Sequence, residues 1–358
     1  MGETEIAAVS EAVRRAALGM GAEVEAFEKE LAQFIGGNRQ VICVNTGTAA
    51  LQLAVQACGI GRGDEVLVPT LTFVSCFQAV SATGATPVAC EVLRDNGCLD
   101  PEDAARRITA HTKAIMPVHL YGHPFDVDAI QAICRKHKLP LVEDAAQAVG
   151  AKYKGKTVGT LGDISCFSFY PAKNLGACGE GGALVTNNAA FATRAKSLRE
   201  HGSTQRYHHD EVGYNYRMEG FQGAVLSVKL KHLAKWNNER RRVAQRYAEL
   251  LADTPLQLPR EADYAESAWH LYTVRHPRRD ELKAHLDANG VGNAVHYPIP
   301  LHLQKAYTHL GHKPGDFPVA EKAARECLSL PMFPELTDAQ IQRVAKVIKD
   351  FFTKAKSN

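Results

Sequence analysis

Short apolar runs alternate with helical patterns of polar and apolar positions between about residue 30 and residue 235. Several runs are apolar at consecutive positions, which is typical of strands that helices cover on both faces. The alternation predicts βαβ units and a mainly parallel sheet. The predicted strands are 40–45, 64–69, 86–92, 112–118, 139–144, 164–169 and 181–187.

A long helical pattern leads out of this region, over residues 220–251, and turns basic halfway along. A helix of about 30 residues spans roughly 45 Å, so it can carry the chain from one domain to another. We therefore predict an α/β fold with a large domain at 1–235, which begins with a helical arm, and a small α+β domain at 236–358.

The C-terminal part mixes the two kinds of pattern. A strand is predicted at 270–276, and a helix at 280–289 that Gly290 ends. A last helix is predicted from Asp338 to about Phe352. These elements are the basis for the small α+β domain.

The charge balance narrows the possible partners. The 358 residues include 42 basic and 39 acidic side chains, for a formal charge of +3. This gives no global reason to expect a nucleic acid or an anionic membrane as partner. Six basic residues of the long helix are interpreted as one solvated face: Lys229, Lys231, Lys235, Arg240, Arg241 and Arg242.

The nine cysteines are scattered through apolar segments, with neither a C-x-x-C pair nor zinc-type spacing. We interpret them as reduced packing residues and predict no metal site. The N-terminus lacks the pattern of a signal peptide, and no apolar run approaches the roughly 20 residues that span a bilayer. Ile6 stands where a myristoylation motif needs Ser or Thr. The predicted location is cytoplasmic.

The first candidate for chemistry is "NTGTAAL" at 45–51, between a predicted strand and a helix. Gly47 permits a tight turn, and Thr48 places a hydroxyl at the N-terminus of the helix. Free N–H groups and the helix dipole make such a turn a phosphate cup. The alternative is a capped turn without a ligand.

The second candidate is "LVEDAAQAVGA" at 141–151, where acidic residues end an apolar strand. Ligands of open α/β sheets bind at the carboxyl ends of strands. Asp144 could hold a protonated ring nitrogen, a metal or a ribose hydroxyl, and Gln147, one helical turn further on, could bind the same ligand. The alternative is that Asp144 caps a helix.

The third candidate is "CFSFYPAKNLGACGEGGALVTNN" at 166–188, where Lys173 is the only charge before Glu180. Desolvation lowers the pKa of a lysine from about 10.4, so its free amine becomes a nucleophile for Schiff-base chemistry. The glycines that follow would let the backbone approach a ligand. The alternative is a loop lysine that reaches solvent. Ser168 offers another hydroxyl for a phosphate.

A phosphate cup, an acid for a ring nitrogen and an amine for an aldehyde are the three handles of pyridoxal phosphate. Phe73, in "PTLTFVSCF", could stack on the cofactor ring, although an ordinary core position is the alternative.

Seven motifs in this order resemble the DegT/StrS type of pyridoxal-phosphate-dependent sugar aminotransferases, over nearly the whole chain. They are "NTGTAAL", "VPTLTFVS", "PVHLYG", "VEDAAQAVGA", "SFYPAKNLGACGEGGALVTN", "GYNYRM" and "HYPIPLHLQ". The resemblance implies the fold type I, aspartate-aminotransferase-like architecture with a seven-stranded sheet. It also implies a homodimer with active sites at the interface.

The resemblance assigns roles to residues. Lys173 would bind the cofactor covalently and move the proton, Asp144 would pair with the pyridine nitrogen, and Gln147 would contact the phenolic oxygen. Phe73 would stack on the ring. The phosphate would be held by Gly47, Thr48 and Ser168, and by Asn215 from the neighbouring subunit. Candidates for substrate contacts are Arg217, His296, Tyr297 and His302; without the resemblance, the proline-framed segment at 296–304 could equally be a rigid surface loop.

The implied reaction moves an amino group from an amino acid, with glutamate favoured, to a keto-sugar nucleotide linked to dTDP or UDP. "HGSTQRYHHDEVGYNYRM" and "WNNERRR" favour a 3-keto over a 4-keto sugar. The product would be an amino sugar for a glycan, a lipopolysaccharide or an antibiotic. One alternative is a sugar dehydratase of the same fold; the dehydratases of the family lack the catalytic lysine, so the presence of Lys173 argues against it. The other alternative is a non-catalytic regulator. Ala16 and Ala17 stand where family members often carry a Ser-Gly-Trp-like segment. In the family that segment commonly lies near the substrate, so the difference affects which sugar is expected to be preferred.

Overall fold

The computed structural model describes residues 2–36 and 38–354. Its α-helices are α1 Glu3–Arg14, α2 Ala22–Ile35, α3 Gly47–Ala57, α4 Ser75–Ala82, α5 Pro101–Arg106, α6 Val127–His137, α7 Ala189–Arg199, α8 Gly220–Leu251, α9 Arg279–Ala288, α10 Pro318–Glu326 and α11 Asp338–Lys354. Short 3-10 turns lie at Leu120–Gly122, Leu301–Leu303 and Lys305–Leu310.

The strands are short, and most lie where the apolar runs predict them. They are β1 Gln40–Val44, β2 Glu65–Pro69, β3 Thr86–Cys90, β4 Thr112–Ile115, β5 Val142–Asp144, β6 Lys152–Tyr153, β7 Lys156–Thr157, β8 Ile164–Ser168, β9 Gly182–Thr186, β10 Ser203–Gln205, β11 His208–His209, β12 Ala265–Glu266, β13 Tyr272–Arg275 and β14 Cys327–Leu330.

The seven predicted strands form one sheet in the order β3-β2-β4-β5-β8-β9-β1. Hydrogen-bonded ladders join three strands on one side and four on the other. Parallel bridges from Ile115 to Leu141 and from Val118 to Asp144 link the two halves. Strand β9 runs opposite to the other six strands. The prediction of a mainly parallel seven-stranded sheet is confirmed.

The register of the sheet brings the ends of three strands together. Val44 at the end of β1 and Ser168 at the end of β8 both pair with Gly182 at the start of β9. On the other side of β8, Cys166 pairs with Asp144 at the end of β5. The loops that follow these strands therefore leave the sheet at one edge, which is where α/β folds bind ligands.

Two clusters of buried apolar residues form the core. The larger one surrounds the sheet and includes the first half of α8, up to Leu233. The smaller one includes the second half of α8, from Val243, together with β13, β14, α9 and α11. Apolar residues of 301–324 pack back onto the larger cluster. The predicted boundary after residue 235 falls inside α8 between the clusters and stays a prediction; the limits at residues 1 and 358 lie outside the described residues.

Helix α8 has the bounds that the pattern predicts, but part of its basic face is not solvated. Arg240 is buried, and its guanidinium donates to the carbonyl oxygens of Trp269, His270 and Met332. Burial lowers the pKa of Arg240 to about 10. Lys229 donates to the carbonyl oxygen of Gly176. The interpretation of the basic run as one solvated face is therefore wrong for these residues, because backbone carbonyls from distant segments converge on them.

The cysteines are free thiols, and all but Cys58 and Cys178 are buried. Burial raises the pKa of these thiols, for example that of Cys98 to about 12. Within 2–36 and 38–354, no helix has the length and apolarity to cross a membrane. Over the same residues, no group of three or more His, Cys, Asp or Glu side chains is arranged to hold a metal ion.

Candidate active site

Lys173 lies in the loop between β8 and β9, at the edge of the sheet where Asp144 ends β5. The lysine is partly buried, and its backbone N–H donates to the carbonyl oxygen of Tyr170 at 2.8 Å. Burial lowers the pKa of its amine to about 8, although the charges of Asp144 and then Cys76 work in the opposite direction. A much larger share of this lysine is therefore unprotonated at neutral pH than of an ordinary surface lysine.

Asp144 is buried, with 4% of its surface exposed. Its Oδ1 accepts from the backbone N–H of Ala146 at 3.0 Å, and its Oδ2 accepts from the thiol of Cys76 at 2.9 Å. Residues 145–150 form turns rather than a helix, so Asp144 does not cap a helix. The carboxylate thus accepts two hydrogen bonds and has further lone pairs that could bind a cation.

Gln147 is held in one orientation by two neighbours. Its Oε1 accepts from the backbone N–H of Tyr121 at 2.6 Å, and its Nε2 donates to the hydroxyl of Tyr297 at 2.9 Å. The second hydrogen on Nε2 is the group left for a ligand, and it suits an acceptor such as a phenolate oxygen. The prediction placed Gln147 one helical turn after Asp144, whereas the chain turns here without forming a helix.

The predicted phosphate cup forms where β1 meets α3. A Cβ atom on Gly47 would lie 2.6 Å from the Cβ of Ser168, so only glycine lets these two strand ends approach so closely. The hydroxyl of Thr48 lies 2.7 Å from that of Ser75. The helix is capped by Thr46, whose Oγ1 accepts from Ala49 N–H at 3.0 Å. Small hydroxyl side chains and the N-terminus of α3 thus face one concave corner.

The glycines after Lys173 pack closely against other atoms of the protein. A Cβ on Gly176 would overlap the carbonyl of Pro171, and one on Gly182 would overlap the backbone of Thr46. A Cβ on Gly179 would lie 2.8 Å from the amide of Gln222. These glycines therefore let the lysine loop fold tightly against the surrounding backbone, and a close approach of the loop to a ligand stays a prediction.

Two aromatic rings line the site. Phe73 is 53% exposed, so it is not an ordinary core residue. Its ring centroid lies 5.9 Å from that of Tyr297, with the planes tilted by 44°. Because Tyr297 also accepts from Gln147, the two rings and the amide form one contiguous group. Stacking of Phe73 on a cofactor ring stays a prediction.

The predicted substrate residues separate into two sets. Near the lysine, His296 Nδ1 lies 2.9 Å from the hydroxyl of Ser329, and the pKa of His296 is lowered by burial and then by the charge of Lys173. His302 lies elsewhere, 1% exposed, with Nδ1 at 2.7 Å from Thr70 Oγ1 and Nε2 at 3.3 Å from a carboxylate oxygen of Glu321. Both ring nitrogens of His302 are engaged, so within the subunit this ring offers no free atom to a substrate.

Asn215 and Arg217 lie in the segment before α8. Asn215 is exposed and forms a backbone bridge with Glu200. Arg217 donates to Glu200 Oε2 at 3.1 Å. An exposed Asn215 agrees with a contact to another subunit, and both roles stay predictions.

Several residues of the site carry no signal in the sequence. Cys76 bonds Asp144 across 68 positions of the chain. Asn174, directly after the lysine, donates to Asn237 Oδ1 at 2.9 Å and to the carbonyl oxygen of Ala268 at 2.7 Å, and accepts from His270 Nδ1 at 3.2 Å. These contacts anchor the lysine loop to α8 through Asn237 and to the segment before β13 through Ala268 and His270. An Asn after a lysine is too common a pair to have indicated this.

The donor set fits pyridoxal phosphate. A buried carboxylate with spare lone pairs suits a protonated ring nitrogen, the amide N–H of Gln147 suits a phenolate oxygen, and a lysine with lowered pKa suits an aldehyde. The glycine and hydroxyl corner at the start of α3 suits a phosphate.

Comparison with known proteins agrees with this reading. Residues 1–349 match the model of the DegT/DnrJ/EryC1/StrS aminotransferase family. A dTDP-3-amino-3,4,6-trideoxy-alpha-D-glucose transaminase of Streptomyces venezuelae is 46% identical over 93% of this chain and 88% of its own. The erythromycin biosynthesis sensory transduction protein EryC1 of Saccharopolyspora erythraea is 48% identical over 92% and 90%. A UDP-N-acetyl-3-dehydro-alpha-D-glucosamine 3-aminotransferase of Acidithiobacillus ferrooxidans is 46% identical over 92% and 89%.

The fold is shared with solved structures. The crystal structure of S. venezuelae DesV in complex with a ketimine intermediate matches with a TM-score of 0.94 and 45% identity, over 97% of this chain and 94% of that one. The expected architecture is thereby confirmed over almost the whole length.

Proposed function

This chain belongs to the DegT/DnrJ/EryC1/StrS aminotransferase family, and we propose that it transfers an amino group from an amino acid, preferably glutamate, to carbon 3 of a keto-sugar nucleotide. The observation that carries the proposal is Lys173 with its lowered pKa beside the buried Asp144. The sugar nucleotide would carry dTDP or UDP, since two relatives are named as transaminases of dTDP-3-amino sugars and two as aminotransferases of UDP-linked 3-dehydro or 3-oxo sugars.

Pyridoxal phosphate, when bound, supplies an aldehyde that captures amines and a ring that takes up the electrons of a broken C–H bond. Asp144 would hold the ring nitrogen in its protonated form through its charge. Gln147 would donate to the phenolic oxygen, and Gly47, Thr48 and Ser168 would hold the phosphate at the N-terminus of α3.

Lys173 would act twice through the same atom. Its unprotonated Nζ is the nucleophile toward the aldehyde. Once free, the same amine would accept and pass on the proton from the carbon of the amino donor in the first half of the reaction, and it would deliver a proton to the sugar carbon in the second half. A pKa near 8 lets Nζ both accept and release a proton close to neutral pH.

The substrate can be tested with the pyridoxamine phosphate form of the enzyme and a panel of 3-keto and 4-keto sugar nucleotides with dTDP or UDP. We expect the visible absorbance of the pyridoxal form to return fastest with a 3-keto sugar, and mass spectrometry to show an amino sugar. A faster reaction with the 4-keto sugars would overturn the choice of carbon 3. Loss of water without gain of an amino group would indicate the dehydratase.

A non-catalytic regulator is the second candidate, because relatives of 48% and 43% identity are named as a sensory transduction protein and a pleiotropic regulatory protein. Lys173 and Asp144 favour the enzyme, since a regulator needs no reactive amine. Glutamate should convert the bound cofactor to its pyridoxamine form at once. A bound cofactor that stays unchanged with every amino donor would favour the regulator.

We also propose that the active form is a homodimer in which Asn215 binds the phosphate of the neighbouring subunit's cofactor. The exposure of Asn215 supports this. Subunits with Lys173→Ala and subunits with Asn215→Asp would each form inactive homodimers. In a hybrid dimer one site would carry both changes and the other none, so activity should reappear on mixing. No recovery in isolated hybrids would mean that Asn215 serves its own subunit.

The cytoplasmic location and a role in building a glycan, a lipopolysaccharide or an antibiotic sugar remain predictions. Deleting the gene and analysing the cell's sugar nucleotides by mass spectrometry would test the role, since the keto-sugar substrate should accumulate.

A further inference from the structure

We propose that Cys76 is a positioning residue for Asp144, whose carboxylate its thiol orients toward the cofactor ring by a hydrogen bond. The proposal rests on the proposed function, because only there does the direction of this carboxylate matter. Cys76 lies in the first turn of α4 and is completely buried.

The direction of each hydrogen bond follows from the groups present. The Sγ of Cys76 is 2.9 Å from Asp144 Oδ2 and 3.6 Å from the hydroxyl of Thr72. An ionised carboxylate only accepts, so the single hydrogen of the thiol points at Asp144. The hydroxyl of Thr72 must then donate to the sulfur. A chain of two hydrogen bonds therefore runs from the hydroxyl of Thr72 through the thiol of Cys76 to the carboxylate of Asp144.

The thiol completes the fixation of Asp144. Oδ1 already accepts a hydrogen bond from the backbone N–H of Ala146, so a second hydrogen bond to Oδ2 fixes the plane of the carboxylate. With one hydrogen bond alone, the carboxylate could still rotate about the bond between Cβ and the carboxyl carbon. The remaining lone pairs are then held in one direction, as a preorganised site for a cation requires.

Burial keeps the thiol in its donor form. The pKa of Cys76 is raised well above its ordinary value, first by burial and then by the charge of Asp144. The thiol thus stays protonated over the whole physiological range. A thiolate here would repel the carboxylate instead of orienting it.

The infrared S–H stretch of the apoenzyme tests the hydrogen bond without any cofactor. The S–H band lost in Cys76→Ser should lie at lower frequency than that of an ordinary thiol, because its hydrogen is bonded to a charged acceptor. In Asp144→Ala this band should move back up. A Cys76 band that Asp144→Ala leaves in place would refute the proposal.

Cofactor binding tests the consequence. Cys76→Ala should weaken pyridoxal phosphate binding about ten- to a hundredfold, since a hydrogen bond to a charged group is lost. Cys76→Ser, which keeps a donor, should stay within about threefold of wild type, well below that loss. Cys90→Ala, another fully buried thiol that lies near the carbonyl oxygen of Val88, is the matched control and should leave the dissociation constant unchanged.

These outcomes separate the inference from the function. If Cys76→Ala and Cys76→Ser weaken binding equally, Cys76 is a packing residue and the proposal fails. If Cys76→Ala does not fold, the serine variant and the infrared band still decide. If wild type binds no pyridoxal phosphate, the proposed function fails, whereas the bond to Asp144 is still tested by the infrared band.

Discussion

Glu143 and Asp144 are neighbours on β5, but their side chains face opposite sides of the sheet, as strand geometry requires. Glu143 is fully buried and accepts from the Ser165 hydroxyl at 2.6 Å, Leu161 N–H at 2.9 Å and His119 Nε2 at 3.0 Å. Backbone N–H groups of the turn at 159–162 add to these. Among the residues that the structure describes, two donors bond to the side chain of Asp144, and one of them is a thiol.

The difference shows two uses of a buried carboxylate. Burial alone would raise the pKa of Glu143, but the hydrogen bond and charge of His119 and the donor Ser165 lower it overall. Its lone pairs are used up, so it can only anchor the turn that precedes β8. Asp144 keeps acceptor capacity that none of residues 2–36 and 38–354 fills. The first carboxylate is built for stability and the second for a ligand.

The largest expected effect concerns the candidate active site that contains Lys173 and Asp144. Lys173→Ala should lower transamination at least about ten-thousandfold, because both nucleophile and proton carrier are lost. The free energy of unfolding of the apoenzyme should not fall, since a partly buried amine is removed. Single-turnover absorbance and urea titration measure the two quantities. Lys231→Ala, on α8, is a matched surface control, and equal loss in both variants would contradict the role of Lys173.

At the other carboxylate of β5, Glu143→Gln should lower the free energy of unfolding by about 3 to 5 kcal/mol. The NH2 group of the amide would then face N–H and O–H donors that bond to a carboxylate oxygen in the wild type. Activity per folded molecule should change by less than about threefold. Glu102→Gln, at a largely exposed side chain, should cost less than about 0.5 kcal/mol. If Glu143→Gln left stability intact but removed activity, the division of labour on β5 would be refuted.

Asp144→Asn should give the reverse result. Activity should fall about a hundred- to a thousandfold, because the charge that keeps the ring nitrogen protonated is gone. The free energy of unfolding should stay within about 1 kcal/mol of wild type, since the amide oxygen can still accept from Ala146 N–H while the amide NH2 donates to the sulfur of Cys76, whose own hydrogen can turn to Thr72. A large loss of stability would place Asp144 with the anchors.

Two histidines extend the comparison to the C-terminal half of the chain. His302→Gln should lower stability by about 1 to 3 kcal/mol through its bonds to Thr70 and Glu321, with an unchanged KM. His296→Gln should raise the KM for the sugar nucleotide and barely affect unfolding. Steady-state kinetics and denaturant titration of both variants decide. A raised KM in His302→Gln alone would reverse the assignment.

The smallest effect is on pH dependence. The pKa of Lys173 is about 8 in the folded protein and about 10.5 when unfolded, so below pH 8 the cost of its buried charge is present in full. Between these values the unfolded chain binds more protons, and stability rises with pH. Lys173→Met should therefore be more stable than wild-type apoenzyme by about 1 to 2 kcal/mol at pH 7, a value reduced by partial exposure. The gap should close toward pH 10.5; a constant gap would contradict the lowered pKa.

Local patterns predicted the strands, α8, Lys173, Asp144 and Gly47, because each depends on a stretch of a few residues. The apolar run into Lys173 and the acidic end of β5 are legible from their immediate neighbours.

Contacts between distant segments were not predictable. His302 contacts Thr70 from 232 positions away, and Arg240 donates to three carbonyl oxygens from two distant places, 269–270 and 332. An arginine on a basic helix is normally solvated, so the sequence predicted a solvated face for Arg240, and for His302 it left a surface loop open beside a substrate contact; the structure buries both side chains. Tertiary packing decides such cases, and no local signal carries it.

Helix α8 is continuous over 32 residues and belongs to both buried clusters. Fraying its middle would expose apolar surface in each cluster at once, which makes independent melting of either one unfavourable. The two halves of the subunit are therefore expected to form one cooperative unit, with a single heat-capacity peak rather than two.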